Sequence, residues 1–481
     1  MTSQNEFNRP QLKKGIGKAG MFSLAFGAMI GVGWVTAMGS WLSNAGPLGS
    51  SIAFTLGGLL MVAIGLCYAE VTSALPLSGG EVAYAYKAFG TSKSFIVGWF
   101  LVFGYLSVSA FEAVSISKVL RYLIPAMDYW HVYSVNGSPI YFSHIVLSAV
   151  FVLLISAVNY TGIKNSAKFQ VGLTILFISL TFVFVIAGLI MGKWDNLDPL
   201  FSENTTGSIS AGVAMVLVTV PFWFVGFDTI PQAAEEANDT ITPRTIGLLI
   251  PLSIISAVGF YILLIMSTSI AAPWHEIISD KLPTAKAFEI ATESPFLVKL
   301  ILVTAVVGLL TSWNGFFLAG SRVLFAMGRG KIIAPELGTS HKTYETPYKA
   351  VLFSGIITFL ASLLGTGAMT AFVDVGSLCI VIAFFGVSYS FLRLRTKFPD
   401  LDRPYKAPGG KILGIIGLVG SLGILAIMVL PNSPVALIWP FEWAIFLTLT
   451  VLGILFWIFS AKSRNAVSKK ERDYLILEKF V

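Results

Sequence analysis

The sequence predicts an all-α membrane protein of twelve transmembrane helices, and three observations carry that prediction. Of 481 residues, 55% are apolar and only 12% charged, against about 25% charged in a usual soluble protein. Apolar blocks of about 20 residues, the length that crosses a bilayer, recur from end to end. Lys and Arg fall mostly in the loops of one side. A water-soluble globule is excluded, and the whole length is expected to form one polytopic domain.

Residues 19–69 carry no charge and are divided only by the turn-like stretch Ser43-Asn44-Ala45-Gly46-Pro47-Leu48-Gly49-Ser50, which makes spans one and two. The same rule places the later spans at residues 94–122, 143–159, 166–191, 209–232, 246–271, 296–325, 348–366, 370–392, 412–430 and 436–460. With the N-terminus inside, 26 of the 32 Lys and Arg residues lie on the inner side. Three of the remaining six, Lys281, Lys286 and Lys299, fall in or beside the long 272–295 loop, where charge has weaker influence on orientation. Both termini are therefore expected in the cytoplasm, with the tails at 1–18 and 461–481 and the protein in the cell membrane.

The net charge of +7 is explained by this orientation rather than by nucleic-acid binding. Cys67 and Cys379 both lie in apolar stretches, so neither a disulfide framework nor a thiolate metal site is indicated. His131, His144, His275 and His341 are scattered without metal-ligand spacing. Gly15-Ile16-Gly17-Lys18-Ala19-Gly20 matches a dinucleotide fingerprint in letters, but no strand precedes it. The polar start followed by a long Gly-interrupted apolar block reads as a retained N-terminus, not a cleaved signal. The sequon-like Asn204-Thr205-Thr206 falls in an external loop. No cofactor is expected.

Two spans contain residues that break helices. Gly27, Gly31 and Gly33 thin span one near its middle, where Gly is costly. One reading is unwinding around a polar cavity or ligand; the other is close helix packing through small residues. In span six, Val220-Pro221-Phe222-Trp223-Phe224-Val225-Gly226-Phe227-Asp228 combines Pro, Gly, four aromatics and an acid, as in an interrupted helix or a Pro kink. Spans one and six open two successive five-span sets, at 19–191 and 209–395, with two additional helices at 412–460. Interrupted helices in corresponding places of two halves point to a transporter site. Unpaired N–H groups after the break in span one favour a carboxylate, free carbonyls favour an ammonium, and a zwitterionic amino acid carries both.

At these residues the chain resembles the amino acid, polyamine and organocation transporter superfamily over nearly its full length. Ile30-Gly31-Val32-Gly33 is similar to the family's break in helix one. Tyr68-Ala69-Glu70, Pro76, Ser78-Gly79-Gly80-Glu81 and Ala88-Phe89-Gly90 resemble its helix two to three signature. Gly162 to Gln170 is similar to the start of helix five. Phe224-Val225-Gly226-Phe227-Asp228, Glu235-Glu236 and Pro243-Arg244 resemble helix six and the loop after it. Ser321 to Met327 resembles the end of helix eight, and Arg403-Pro404-Tyr405 with Pro408 the loop before helix eleven.

The resemblance implies a five-plus-five inverted repeat with helices one and six discontinuous, two extra C-terminal helices, and alternating access. It implies an amino acid permease, moving its substrate by ion symport or exchange. The carboxylate is then expected at the amides of Gly31, Val32 and Gly33, the amino group at the carbonyls of Met29, Phe222 and Val225, and Phe222 at a gate. Ile30, Trp223 and Gly226 complete the expected substrate site. Two departures stand out: Phe177 occupies the place of a helix-five Lys present in some subfamilies, and Trp34 follows Gly33, where it is expected to reduce pocket volume.

Glu112, Asp228 and Asp374 are intramembrane acids, which usually face a partner or a watery path. Each is a candidate for ion coupling or amine recognition, or else a carboxyl bonded to a neighbouring helix. Thr311 and Ser312 are candidates for a sodium-like site, or hydroxyls bonded to their own backbone. The coupling ion is left as H+ or Na+. The runner-up substrate class is a polyamine or amino alcohol held by those acids. A channel lacks the ring of repeated polar residues it needs, and an enzyme lacks a nucleophile–base or metal constellation. The expected partners are a small-molecule substrate and the lipid bilayer, with oligomeric state left open.

Overall fold

The computed structural model describes residues 7–202 and 208–480. The Asn204-Thr205-Thr206 sequon and the first six residues of the N-terminal tail lie outside the described residues. The chain is predominantly helical, and ten helices among the described residues are long and apolar enough to cross a membrane. The two remaining expected spans, six and nine, coincide with the shorter apolar helices Ile209–Trp223 and Tyr348–Ser362. For span nine this is a shortening from the expected 348–366: a 3-10 turn at Gly365–Ala368 leads directly into Met369–Lys397.

The hairpin between spans one and two is tight, as expected: Met38–Ala74 is two helices meeting at Gly46, the one residue there with a non-helical backbone, at φ 72. A left-handed backbone there is open to Gly at little cost, and Pro47 supplies a fixed φ to start the next turn. Gly46 also abuts the backbone of Leu200 and Phe201, where a Cβ would stand 2.8 Å from Leu200 O.

Span two packs on span seven through Gly58 and Gly65, which seat Val258 and Ile254. Span three, Thr91–Leu123, runs through the middle of the bundle; Gly104 and Gly376 bring it close to span ten. Spans eleven and twelve, Gly410–Val429 and Phe441–Phe459, sit at the periphery, with Ile412, Val419, Ile458 and Phe459 exposed. Exposed Leu153, Ile186, Ile190, Leu252, Ile255 and Ile356 continue that apolar surface. Such a surface suits hydrocarbon, where backbone groups are satisfied within each helix.

Several connections carry structure that composition alone did not reveal. Gly80–Phe89 is a short helix between spans two and three. His131–Val135 and Ser138–Tyr141 pair as an antiparallel hairpin. The 272–295 loop holds helices Trp274–Ile277 and Pro283–Thr292, and Thr284 donates to the Trp34 carbonyl at 2.7 Å.

At the end of the bundle that bears both termini, side chains interlock. Glu235 accepts bidentate bonds from Arg329 (2.7 and 2.8 Å) and from Arg9 (3.1 and 3.0 Å). Glu236 holds Arg322, both fully buried, at 2.8 Å. The C-terminal helix Lys469–Leu477 joins through Lys331–Glu471 and Tyr86–Asp473, and Arg9 also bonds the Leu475 carbonyl.

Candidate functional site

Span one stops being a helix at the predicted place. Helix Lys18–Met29 ends as Ile30 turns to φ −109, ψ 79, and a short helix resumes at Gly33–Thr36. The amides of Gly31, Val32 and Gly33 donate to no acceptor among the described residues. These three donors at the break are left unsatisfied by the protein itself, although unpaired N–H groups are costly in an apolar setting.

Span six breaks as well. Helical turns at Ile209–Leu217 and Val220–Trp223 give way to an irregular stretch before Thr229–Ala233. Gly226 stands at φ 130, with a Cβ there 2.7 Å from Met29 N and 2.9 Å from Ala28 C. The two breaks thus touch backbone to backbone. Gly226→Ala is expected to lower thermal stability by a strain of about 1–3 kcal/mol plus the clash, read as a lower Tm of detergent-solubilised protein. A parental Tm would show that the contact yields freely.

Asp228 closes the span-six break rather than opening onto a cavity. Its Oδ1 accepts from the Gly226 amide at 3.0 Å and its Oδ2 from the Tyr105 hydroxyl at 2.8 Å. Thr229 donates to the Gly226 carbonyl at 2.7 Å. Tyr261 of span seven ties the breaks together: its hydroxyl lies 2.9 Å from Met29 O and 3.3 Å from Trp223 O.

Between the breaks lies a cavity of about 220 Å3. Of the expected substrate residues, Met29, Gly31, Val32, Gly33, Phe222, Trp223 and Val225 line it. Ile30 and Gly226 do not; the Ile30 side chain is fully buried in the core. Of the coupling candidates, Glu112 and Ser312 line the cavity. Glu112 is 2% exposed, forms no ion pair among the described residues, and its Oε2 has no hydrogen-bond partner. Its Oε1 and the Ser312 hydroxyl lie 3.3 and 3.5 Å from where a Cβ of Gly31 would stand.

The other candidates lie elsewhere. The Thr311 hydroxyl donates to the Gly308 carbonyl, and the Thr311 carbonyl accepts from the Gln170 amide at 3.1 Å. Asp374 lines a second cavity of about 380 Å3, with the Glu442 carboxyl beside it. Phe222, Trp223, Val225 and Val373 line both cavities, so these side chains form the partition.

Trp34 does not narrow the pocket as expected. It is fully buried and stacks edge-on to Phe177, ring centres 6.2 Å apart. The two departures from the family pattern therefore touch each other. Sequence reading missed Tyr261, Val108, Phe111 and Phe316, which supply much of the apolar wall. The three on spans three and eight follow a helical face shared with the acid: Val108 and Glu112 are four residues apart, as are Ser312 and Phe316.

A family model described as amino acid permease matches residues 16–457. The branched-chain amino acid permease BcaP of Bacillus subtilis is 28% identical over 84% of this chain and 85% of its own. The methylthioribose transporter of the same organism is 25% identical over 82% and 84%. Cationic amino acid transporter 6, chloroplastic, of Arabidopsis thaliana is 26% identical over 79% and 67%.

Proposed function

Because the chain belongs to the amino acid permease family, a family of membrane transporters and not of enzymes, we propose that it carries an amino acid with an apolar side chain by alternating access, in symport with a proton. The observation that carries this reading is the set of three unpaired amides at Gly31, Val32 and Gly33 facing a cavity with aromatic and aliphatic walls. A carboxylate satisfies those amides, and the carbonyls of the two breaks receive the ammonium. Phe111, Phe222, Trp223 and Phe316 offer the side chain a dry surface. The branched-chain specificity in the name of one relative agrees with such walls.

The proton is favoured over sodium on geometry. Thr311, one of the two hydroxyls expected to hold sodium, does not line the cavity, whereas Glu112 stands in it with a free oxygen. In this reading Glu112 takes its proton when the cavity opens to one side and releases it when the cavity opens to the other. In this reading ten of the twelve spans form two inverted five-span halves, 19–191 and 209–395, the two additional helices at 412–460 stand outside them, and both termini are cytoplasmic in the cell membrane.

The free Glu112 oxygen also supports a second reading, a polyamine or amino alcohol whose ammonium pairs with that acid. A thermal-shift screen against amino acids, polyamines and amino alcohols separates the two, because a ligand of the native state raises Tm. Stabilisation by zwitterions supports the first reading; stabilisation only by amines lacking a carboxylate overturns it. Glu112→Gln is expected to flatten the pH profile of uptake and lower its peak at least about tenfold, within the range of coupling energies between sites. A profile matching the parent would remove Glu112 from the coupling.

A further inference from the structure

Three side-chain amides donate one to the next inside the bundle, and the last of them ends on span one. Asn159 of span four (Phe142–Tyr160) donates to Asn314 Oδ1 at 2.9 Å. Asn314 of span eight (Pro295–Arg329) donates to Gln170 Oε1 at 2.8 Å. Gln170 of span five (Ile163–Met191) donates to the Ser23 carbonyl at 2.9 Å and to the Thr311 carbonyl at 3.1 Å. All three amides are fully buried. Because Gln170 Oε1 is taken by a donor, its NH2 group is the part left to face the two carbonyls. A buried polar network whose members are satisfied holds its helices rigidly.

The two backbones that Gln170 joins are those that carry the transport site. Ser23 lies in half-helix Lys18–Met29, six residues ahead of the break, about 9 Å along the axis. Thr311 precedes Ser312, which lines the cavity. Glycine lets the two backbones meet. A Cβ on Gly27 would stand 2.6 Å from Gln170 Nε2, and 3.1 Å from Thr174 Oγ1 and Thr311 Cβ. One on Gly315 would stand 3.2 Å from Leu24 O, and one on Gly308 2.9 Å from Gly31 O, so span eight also presses on the break itself. Gly27 thus serves close packing inside a continuous helix, unlike Gly31 at the break. Among the described residues, side chains bond the backbone of this half-helix at two carbonyls, Ser23 through Gln170 and Met29 through Tyr261.

We propose that Gln170 is a positioning residue for substrate binding: it fixes half-helix Lys18–Met29 against span eight, and so fixes where the Gly31–Gly33 amides stand relative to Ser312 and Glu112. The inference rests on the reading above, in which a substrate carboxylate binds those amides. Neither Gln170 nor Gly27 lines the cavity, so both act through the backbone. The helix from Ser23 to Met29 is unbroken, and a shift at Ser23 is therefore carried to the break. Misplaced amides weaken the hold on the carboxylate while the apolar walls stay as they are.

The test measures KM and Vmax of uptake in proteoliposomes for the parent, Gln170→Ala, Gly27→Ala and the double variant, with the amino acid that most stabilises the parent. Gly27→Ala is the sharper probe, because alanine is the better helix former and yet its methyl displaces the Gln170 amide from Ser23. Expected in each single variant is a KM raised at least about tenfold with Vmax within about threefold of the parent, against the roughly hundredfold cost of a misplacement of about 1 Å. A purely structural loss would lower Vmax through the amount of folded protein and leave KM alone. In the double variant the added methyl has no amide to displace, so KM should be no worse than in Gln170→Ala, as for two changes to one contact. A parental KM in Gln170→Ala overturns the inference whatever its Vmax, and so do single effects that multiply in the double variant. If no zwitterionic amino acid stabilises the parent, the carboxylate reading itself falls; if one does and the variants keep its KM, this inference alone falls. Should Gln170→Ala fail to insert, Gly27→Ala decides: a raised KM supports the positioning role, and a parental KM overturns it.

Discussion

Gly33→Leu is expected to abolish uptake, to below about 1% of the parent, because displacements of about 1 Å at a reacting or binding centre cost on the order of a hundredfold. A Cβ on Gly33 would overlap the six-membered ring of Trp223, standing 2.7 Å from Cε3. That ring is not free to retreat. It is wedged edge-on to Trp41 with centres 5.2 Å apart, and Phe222 packs on it at 4.8 Å. The substitution thus disturbs the unpaired amides of span one and the partition between the two cavities together. Gly31→Ala should cost less, since its Cβ meets only side-chain ends, Glu112 Oε1 at 3.3 Å and Ser312 Oγ at 3.5 Å. Gly172→Leu is the control: no atom lies within 4 Å of a Cβ there, and uptake should match the parent. Radiolabelled uptake with the three variants at equal membrane levels makes the comparison, and normal transport in Gly33→Leu would sink the assignment of the site.

The second large effect is on stability. Glu235→Ala leaves Arg9 and Arg329 without their shared carboxylate, in a place where Arg329 is 3% exposed and Arg9 4%. Removing one partner of a buried ion pair costs about 3–5 kcal/mol, and Tm is expected to fall on the order of 5 °C or more. Burial works against ionisation of Glu235, but Arg329 and then Arg9 outweigh it and hold the carboxyl down at about 2, below its ordinary 4.5. A carboxyl lowered on folding stabilises the native state above its unfolded value and loses that contribution as pH falls through the folded one. The parent should therefore lose stability as pH drops from about 4.5 toward 2, and Glu235→Ala should lose less over the same window. Thermal unfolding at stepped acid pH checks both statements. A parental Tm for Glu235→Ala at neutral pH would show the cluster to be ornamental.

Much of the architecture was legible because lipid makes a coarse demand. A segment such as 166–191 has to be apolar over most of its length to face hydrocarbon, and its helix is found at Ile163–Met191. The breaks were legible through their places: Gly31 and Gly33 alone could mark close helix packing and Pro221 a simple kink, but they stand in the first spans of two successive five-span sets. What stayed hidden depends on azimuth, meaning which way a side chain points around its helix. Hydrophobic periodicity is weak in a helix apolar on every side, so nothing marked Tyr261 as facing the breaks or Trp34 as turning away to Phe177. Asp228 was visible as an intramembrane acid, but its engagement by Tyr105, 123 residues earlier, is a tertiary fact. The hairpin at 131–141 and helix Pro283–Thr292 were hidden because their sequences are mixed and short, below the length at which pattern speaks.

The backbone-to-backbone contact of the two breaks has a mechanical meaning. Gly226 rests on Met29, Gly33 on Trp223, and one hydroxyl of Tyr261 reaches a carbonyl of each. Two interrupted stretches fastened to each other in this way form one joint rather than two. Under the proposed alternating-access reading, a swing of one half-helix would drag on the other, and a pore open at both ends would require the joint itself to come apart.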